Sequence, residues 1–307
     1  MAELEGIVAV IDRENVLKGL TVQDAMRRLV IDLGREASIE QAIRYTVKFK
    51  ANALLIVNEQ RQGIGVVSKT DLMGAYYAGL PIETPVEAIM VGSPVFCQES
   101  DSLDVALDTM RAFKIHRLYV AGDHPDLAVG VLAYPDIVGL LYRYCRRCKR
   151  SILHPRHTRS DETASDLFHV REVMTDSVRT HQEDESLLQV MEGLSTHRLG
   201  AVLINDRDGL PVGVVSKTDL MIAYKHGVAA ETQAKAIMSS PVNSCDHNEP
   251  LTVAVQRMIF SDIHRSFVHK GEPSNIVGVL SLSDAARVRS GSCRACVTSR
   301  IEIAKDH

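Results

Sequence analysis

The nine residues GVVSKTDLM, Gly65–Met73, return unchanged at Gly213–Met221, an offset of 148 positions. A glycine followed by two β-branched residues reads as a strand, and Ser-x-x-Asp before an apolar run reads as the start of a helix. The same offset carries Met26 onto Met174, Met90 onto Met238, and His116-Arg117 onto His264-Arg265. It also carries the Gly-Val-Leu at 130 onto that at 278, Cys97 onto Cys245, Cys145 onto Cys293 and Cys148 onto Cys296. A repeat of this length is a duplicated domain rather than a solenoid unit.

Each half divides again. Segments ending in Met26, Met90, Met174 and Met238 mark the start of four quarters. An amphipathic helix pattern follows: Leu103, Ala106, Leu107, Met110 and Phe113 in the second quarter, and Leu251, Ala254, Val255, Met258 and Ile259 in the fourth, spaced to share one face. Then come a β-rich run (ALLIV at 53, AVLI at 201, Leu118-Tyr119-Val120), a polar turn, a Gly-Val-Val or Gly-Val-Leu strand and a second helix. The expected fold is α/β (α+β): four β-α-β-β-α units arranged as two pseudo-twofold pairs. The first pair is placed at 1–149, with units at about 20–80 and 84–145. Residues 150–168, polar and bearing Pro155, read as a linker. The second pair takes 169–307, with units at about 170–228 and 232–290 and a cysteine-bearing tail. A single quarter has a small core and two helices to cover, so pairing is expected, within one chain or between chains.

Composition bounds the partners. The 307 residues are 45% hydrophobic and 24% charged with a formal charge of -4, near the globular average and without pull towards a polyanion. Tryptophan is absent and aromatics make up 5%, which argues against a stacking platform for single-stranded nucleic acid. The acidic start, MAELEGIVAV, lacks the basic region of a secretory signal, and no apolar run approaches a membrane span. The expected location is cytoplasmic, where thiols stay reduced.

Four strand-to-helix junctions of the form Gly-h-h-Ser-x-x-Asp, two of them with a preceding His-Arg, resemble cystathionine-β-synthase (CBS) domains in two tandem pairs, or Bateman modules. The resemblance covers Val22–Arg143 and Val170–Ser290. It implies regulatory ligand binding: each pair forms two clefts that hold AMP, ADP, ATP or another adenosine compound. The junction Asp meets the ribose hydroxyls, the Ser lies near the phosphates, and basic side chains neutralise them. Carried onto this sequence, the resemblance points to Ser68 and Asp71, to Ser216 and Asp219, and to Ser281 and Asp284. The basic pairs are His116-Arg117 and His264-Arg265. The second quarter departs from the pattern: GVLAYPD keeps Asp136 but has Ala133 in the serine position, so that cleft is expected to bind more weakly or to hold a ligand without a phosphate there.

Elementary chemistry supports the same residues. A carboxylate has two acceptors for the two O–H donors of a vicinal diol, and a helix N-terminus suits phosphate. Thr70, Thr218, Lys69 and Lys217 are further candidate donors. Ser-x-x-Asp is equally a capping box, in which the two side chains satisfy local backbone donors. In the odd quarters the His-Arg positions are taken by Asn52-Ala53 and Gly200-Ala201, small enough to leave room for a base. His197-Arg198 lies three residues out of register and reads as a helix C-terminal feature.

The motifs Cys145-x-x-Cys148 and Cys293-x-x-Cys296 keep their cysteines while their neighbours differ, RYCRRCKRS against SGSCRACVT. Two such pairs supply the four sulfurs of a structural zinc site. Alternatively each joins Cys97 or Cys245 with a histidine such as His154, His157 or His247. A reversible disulfide and plain free thiols remain open. The leading expectation is a non-enzymatic regulatory protein, a homodimer, that binds an adenine nucleotide and signals to an unknown partner by conformational or oligomeric change. The alternative is a metal- or redox-responsive assembly protein with structural clefts.

Overall fold

A computed structural model of the chain describes residues 19–147 and 168–288, with the side chains of 143–147 excepted. The first repeat runs β1 (Asp32–Gly34), α2 (Ile39–Lys48), β2 (Ala53–Val57), β3 (Gly63–Ser68) and α3 (Lys69–Tyr77), after a short α1 (Val22–Ala25). The second runs β4 (Phe96–Gln98), α4 (Leu103–Ala112), β5 (Arg117–Ala121), β6 (Ala128–Ala133) and α5 (Tyr134–Arg147). The third runs β7 (Thr180–Gln182), α6 (Leu187–Thr196), β8 (Ala201–Asn205), β9 (Pro211–Ser216) and α7 (Lys217–Lys225). The fourth runs β10 (Ser244–Asp246), α8 (Leu251–Phe260), β11 (Arg265–His269), β12 (Ile276–Ser281) and α9 (Leu282–Arg287). Each repeat folds into its own three-stranded sheet, the first two strands parallel and the last two antiparallel. The four β-α-β-β-α units expected from the sequence are present.

Local chemistry starts and stops these elements. Ser38, Ser102 and Ser186 cap α2, α4 and α6 by accepting from the backbone N–H of Gln41, Val105 and Gln189. On α4, Leu103, Ala106, Leu107 and Met110 are buried, as their spacing predicts. Phe113 is not: the helix ends at Ala112, so Phe113 sits at the C-cap and is 64% exposed. His197 caps the C-terminus of α6, the place its spacing suggested.

The repeats pack in cis across the two halves. One core joins the first and third repeats, with Ile43, Leu54 and Leu72 against Val190, Ile204 and Leu220. A second joins the second and fourth, with Leu107, Leu118 and Ile137 against Val255, Val268 and Ala286. A third, smaller cluster holds the first sheet to the second through Leu55, Val57, Tyr119 and Val131. Helices α3 and α7 therefore cover each other, as do α5 and α9. A second subunit is not required to cover these faces.

The α3–α7 contact is reciprocal in detail. Tyr76 and Tyr224 stack with centroids 4.8 Å apart. Tyr76 donates its hydroxyl to the Val228 carbonyl at 2.7 Å, and Tyr224 donates to that of Leu80 at 2.6 Å. Gly79 and Gly227, at φ +65° and +68°, make the left-handed turns after each helix that set these carbonyls in place.

The segments ahead of each repeat exchange places. Val22 and Ala25 belong to the core of the second repeat, and Val86 to that of the first. Arg27 bridges to Val131 and Val91 to Val66; Thr175 and Ser239 bridge likewise to Val279 and Val214. The methionines that mark the quarters thus dock on the neighbouring repeat. Met26, Met90, Met174 and Met238 lie over Gly130, Gly65, Gly278 and Gly213, where a Cβ would come within 3.0 Å of the thioether sulfur. The glycine that opens each Gly-h-h junction is the seat for a methionine.

Candidate functional site

Three junctions form the capping box in full. Asp71 accepts from the Ser68 amide and hydroxyl, each at 2.7 Å. Asp219 accepts from those of Ser216 at 2.8 and 2.6 Å. Asp284 accepts from those of Ser281 at 3.0 and 2.5 Å. In each case Oδ2 takes both bonds, so capping uses one carboxylate oxygen and not the other.

The first and third junctions face each other. Lys69 reaches across to donate to the Thr218 hydroxyl at 2.9 Å, and Lys217 donates to the Thr70 hydroxyl at 2.7 Å. The crossing leaves both lysines half-buried. Burial holds Lys69 below the ordinary lysine range, Arg117 adds to the effect, and Asp219 opposes it. Burial likewise brings Lys217 down to about 8, with Arg265 adding and Asp71 opposing.

The even repeats supply the remaining charge. His116 and His264 are both held below the usual histidine range, first by burial and then by surrounding cations, including Arg265, Lys217 and Arg117 around His116 and Lys69 around His264. Arg265 is depressed by burial and partly compensated by Asp284. Lysines of the odd repeats and His-Arg pairs of the even repeats thus form one electrostatically connected basic cluster with contributions from all four units. Lys69 and Lys217 read as donors in the sequence, but their crossing leaves no local signal, because the two lie 148 positions apart.

The small residues of the odd repeats accommodate arginine and histidine. Arg117 donates to the Ala53 carbonyl at 2.5 Å. A Cβ on Gly200 would lie 2.7 Å from Nη1 of Arg265. Asn52 approaches Nδ1 of His264 at 3.4 Å.

The second repeat differs. Asp136 accepts from the Ala133 amide at 2.8 Å through Oδ2, while Oδ1 pairs with Nε of Arg27 at 2.8 Å. Its side chain is only 9% exposed. Burial raises its pKa against the opposing influence of Arg27 and the Ala133 N–H. In place of the Lys-Thr of the odd repeats stand Tyr134, whose ring meets that of His116 edge-on at 5.7 Å, and Pro135.

A shallow depression of about 430 Å³ lies elsewhere, in the fourth repeat, lined by Asp246, Glu249, Arg257 and His269 among others; no junction residue borders it. The convergence of cations and carboxylates, rather than this depression, defines the candidate site.

Of the cysteine motifs, Cys145 lies on α5, with its side chain outside the described residues, as are Cys148, Cys293 and Cys296. Cys97 and Cys245 are buried and reduced. Burial pushes the Cys97 thiol up to about 12 and raises that of Cys245. Among the described residues no group of three or more His, Cys, Asp or Glu is placed to hold a metal ion, and no helix is long and apolar enough to cross a membrane.

Comparisons with known proteins converge on this arrangement. Protein MJ1225 from Methanocaldococcus jannaschii, described as a proposed archaeal homologue of g-AMPK, superposes with a TM-score of 0.72 at 16% identity, over 87% of this chain and 99% of that one. An uncharacterised conserved protein from Pyrococcus horikoshii follows at a TM-score of 0.57 and 17% identity, over 88% and 100%. The uncharacterised protein MK0525 of Methanopyrus kandleri is 26% identical over 121 residues; the alignment spans 39% of this chain and 61% of that curated relative's length. The family model of the CBS domain matches four times, at residues 21–78, 86–143, 170–226 and 234–291. With four such units folded as two mutually covering pairs, the chain belongs to the CBS domain family.

Proposed function

We propose that this chain is a regulatory CBS protein that binds adenosine-type nucleotides, AMP, ADP or ATP, and signals through a change in how its repeats pack. The observation that carries the reading is the Lys69–Thr218 and Lys217–Thr70 crossing within a half-buried basic cluster. Charged groups taken out of water are costly unless paired, and Lys217 at about 8 records that cost. A phosphate supplies the missing negative charge and accepts from several of these donors at once. Asp71, Asp219 and Asp284 each keep a carboxylate oxygen beyond the one used in capping, which suits a ribose diol. Ser68, Ser216 and Ser281 are engaged in the caps, so their role is to orient the carboxylates. His116, Arg117, His264 and Arg265 bring the even repeats into the same charge cluster, so one ligand's differential affinity for open and closed packing shifts all four units.

The test is a thermal-shift and calorimetric panel of AMP, ADP, ATP, NAD and S-adenosylmethionine. At 100 times its dissociation constant a ligand adds roughly 2.7 kcal/mol of stability. At least one adenosine compound is expected to stabilise the protein, and Asp219→Ala to reduce the effect. A flat response across the panel, with Asp219→Ala equally inert, defeats the reading.

A further inference from the structure

The four repeats place one residue, the one after the docking methionine, at the same station beside each junction. Arg27, Val91, Thr175 and Ser239 bridge to Val131, Val66, Val279 and Val214, each five positions before the junction aspartate. What the side chain at this station does to the carboxylate differs in each repeat. Val91 has no polar atom to offer Asp71. Ser239 gives its hydroxyl to Oδ1 of Asp219 at 3.2 Å, a contact that a diol can replace. Thr175 leaves Asp284 with its cap bonds alone among the hydrogen bonds between described residues. Arg27 alone brings a full positive charge, 2.8 Å from Oδ1 of Asp136. Both oxygens of that carboxylate are therefore occupied, one by the cap and one by guanidinium.

A second, independent set of features points the same way. The helix start below Asp136 has lost what a phosphate would use: Ala133 has no hydroxyl, Tyr134 replaces lysine, and Pro135 has no N–H. Breaking the Arg27–Asp136 pair would take the cation from a carboxylate that is largely buried, whereas Ser239 offers Asp219 only a neutral hydroxyl.

Building on the nucleotide-binding reading above, we infer that Arg27 acts as a resident cation that closes the Asp136 cleft, so that the chain offers clefts at Asp71, Asp219 and Asp284 but not at Asp136. Val, Thr, Ser and Arg at one repeated station thus set which copies of a duplicated site accept an adenosine compound.

Calorimetric titration of the full chain with AMP tests this. In the wild type, Asp136→Asn, which retains an acceptor for the cap, is expected to leave the number of AMP equivalents unchanged, whereas Asp71→Asn removes one. Arg27→Val, which copies the first repeat's station, is expected to add one equivalent, lost again in Arg27→Val/Asp136→Asn. Arg27→Met, which keeps an unbranched apolar stem without the charge or the donor, provides the same readout should the valine variant not fold. Loss of an equivalent on Asp136→Asn in the wild type overturns the inference, as does an unchanged or weakened titration in the folded Arg27 variants; in either case the nucleotide-binding reading still stands. If wild type and variants alike bind none of AMP, ADP and ATP in the same titration, both readings fall together.

Discussion

Replacing Lys217 with methionine separates the cost of the basic cluster from its use. Lys217 is held at about 8 against an ordinary 10.5, which corresponds to roughly 3 kcal/mol acting against the charged form. Water still reaches part of the ammonium, so a discounted figure of about 1–2 kcal/mol is appropriate. The sign follows from proton counting. Below about pH 8 the lysine is charged in both folded and unfolded chains, and the folded chain bears the whole penalty. Between about 8 and 10.5 the folded chain sheds its proton first, so stability rises with pH across that window. Methionine fills a similar volume without charge, and the Thr70 hydroxyl it abandons is open to solvent. Lys217→Met is therefore expected to stabilise the ligand-free protein at pH 7 by about 1–2 kcal/mol. That advantage should shrink as pH is raised from 8 to 9.5. It should also weaken the best nucleotide of the panel at least about tenfold, the equivalent of one charge-assisted hydrogen bond. Urea denaturation at several pH values and calorimetric titration read both effects. A variant less stable than wild type at pH 7, or an offset that does not change with pH, would refute the reasoning.

Three further outcomes follow from the packing. Tyr76→Phe leaves the Val228 carbonyl without its donor and should cost about 1 kcal/mol, read as a lower urea midpoint, with Tyr224→Phe matching it; a null effect in both would mean that the reciprocal bonds do not hold the halves together. Gly213→Ala places a Cβ 2.7 Å from the Met238 sulfur and 3.0 Å from the Ser239 carbonyl and should cost about 1–3 kcal/mol. Gly74→Ala, on the open side of α3, should instead gain about 0.5–1 kcal/mol, and a reversal of that order contradicts the methionine-seat argument. Cys97, with its thiol pushed up to about 12, should escape iodoacetamide at pH 8 in the native protein and react in urea; peptide mapping by mass spectrometry decides.

Much of this architecture could be read from residues because duplication writes the same sentence twice. The Ser68–Asp71 and Ser216–Asp219 junctions announce strand, cap and helix locally, and local chemistry is what a linear pattern records. The cores are another matter. Four similar units can be matched in more than one way, and nothing in the spacing of Leu54 or Leu72 says that their partners are Ile204 and Leu220 rather than residues of the adjacent repeat. The exchange of lead segments was hidden for a related reason. Met26 and Gly130 each look like a boundary marker, and only a fold that sends Met26 into the next repeat explains both. The space beside Ala53 and Gly200 was legible but its occupant was not, since the arginines that use it are donated by the even repeats. The pairing of Arg27 with Asp136 joins positions more than 100 apart, beyond the reach of any local signal.

The tyrosine contacts of α3 and α7 join residues separated by 152 and 144 positions. During synthesis, at about 5–20 residues per second, the first half leaves the ribosome roughly 7–30 s before its counterpart exists. Throughout that interval Tyr76, Leu72 and the end of Lys69 have no mate on the nascent chain. A translation product halted in the middle would carry a ready-made sticky face of the right shape for another copy of itself, so premature termination should yield self-associated fragments rather than inert ones.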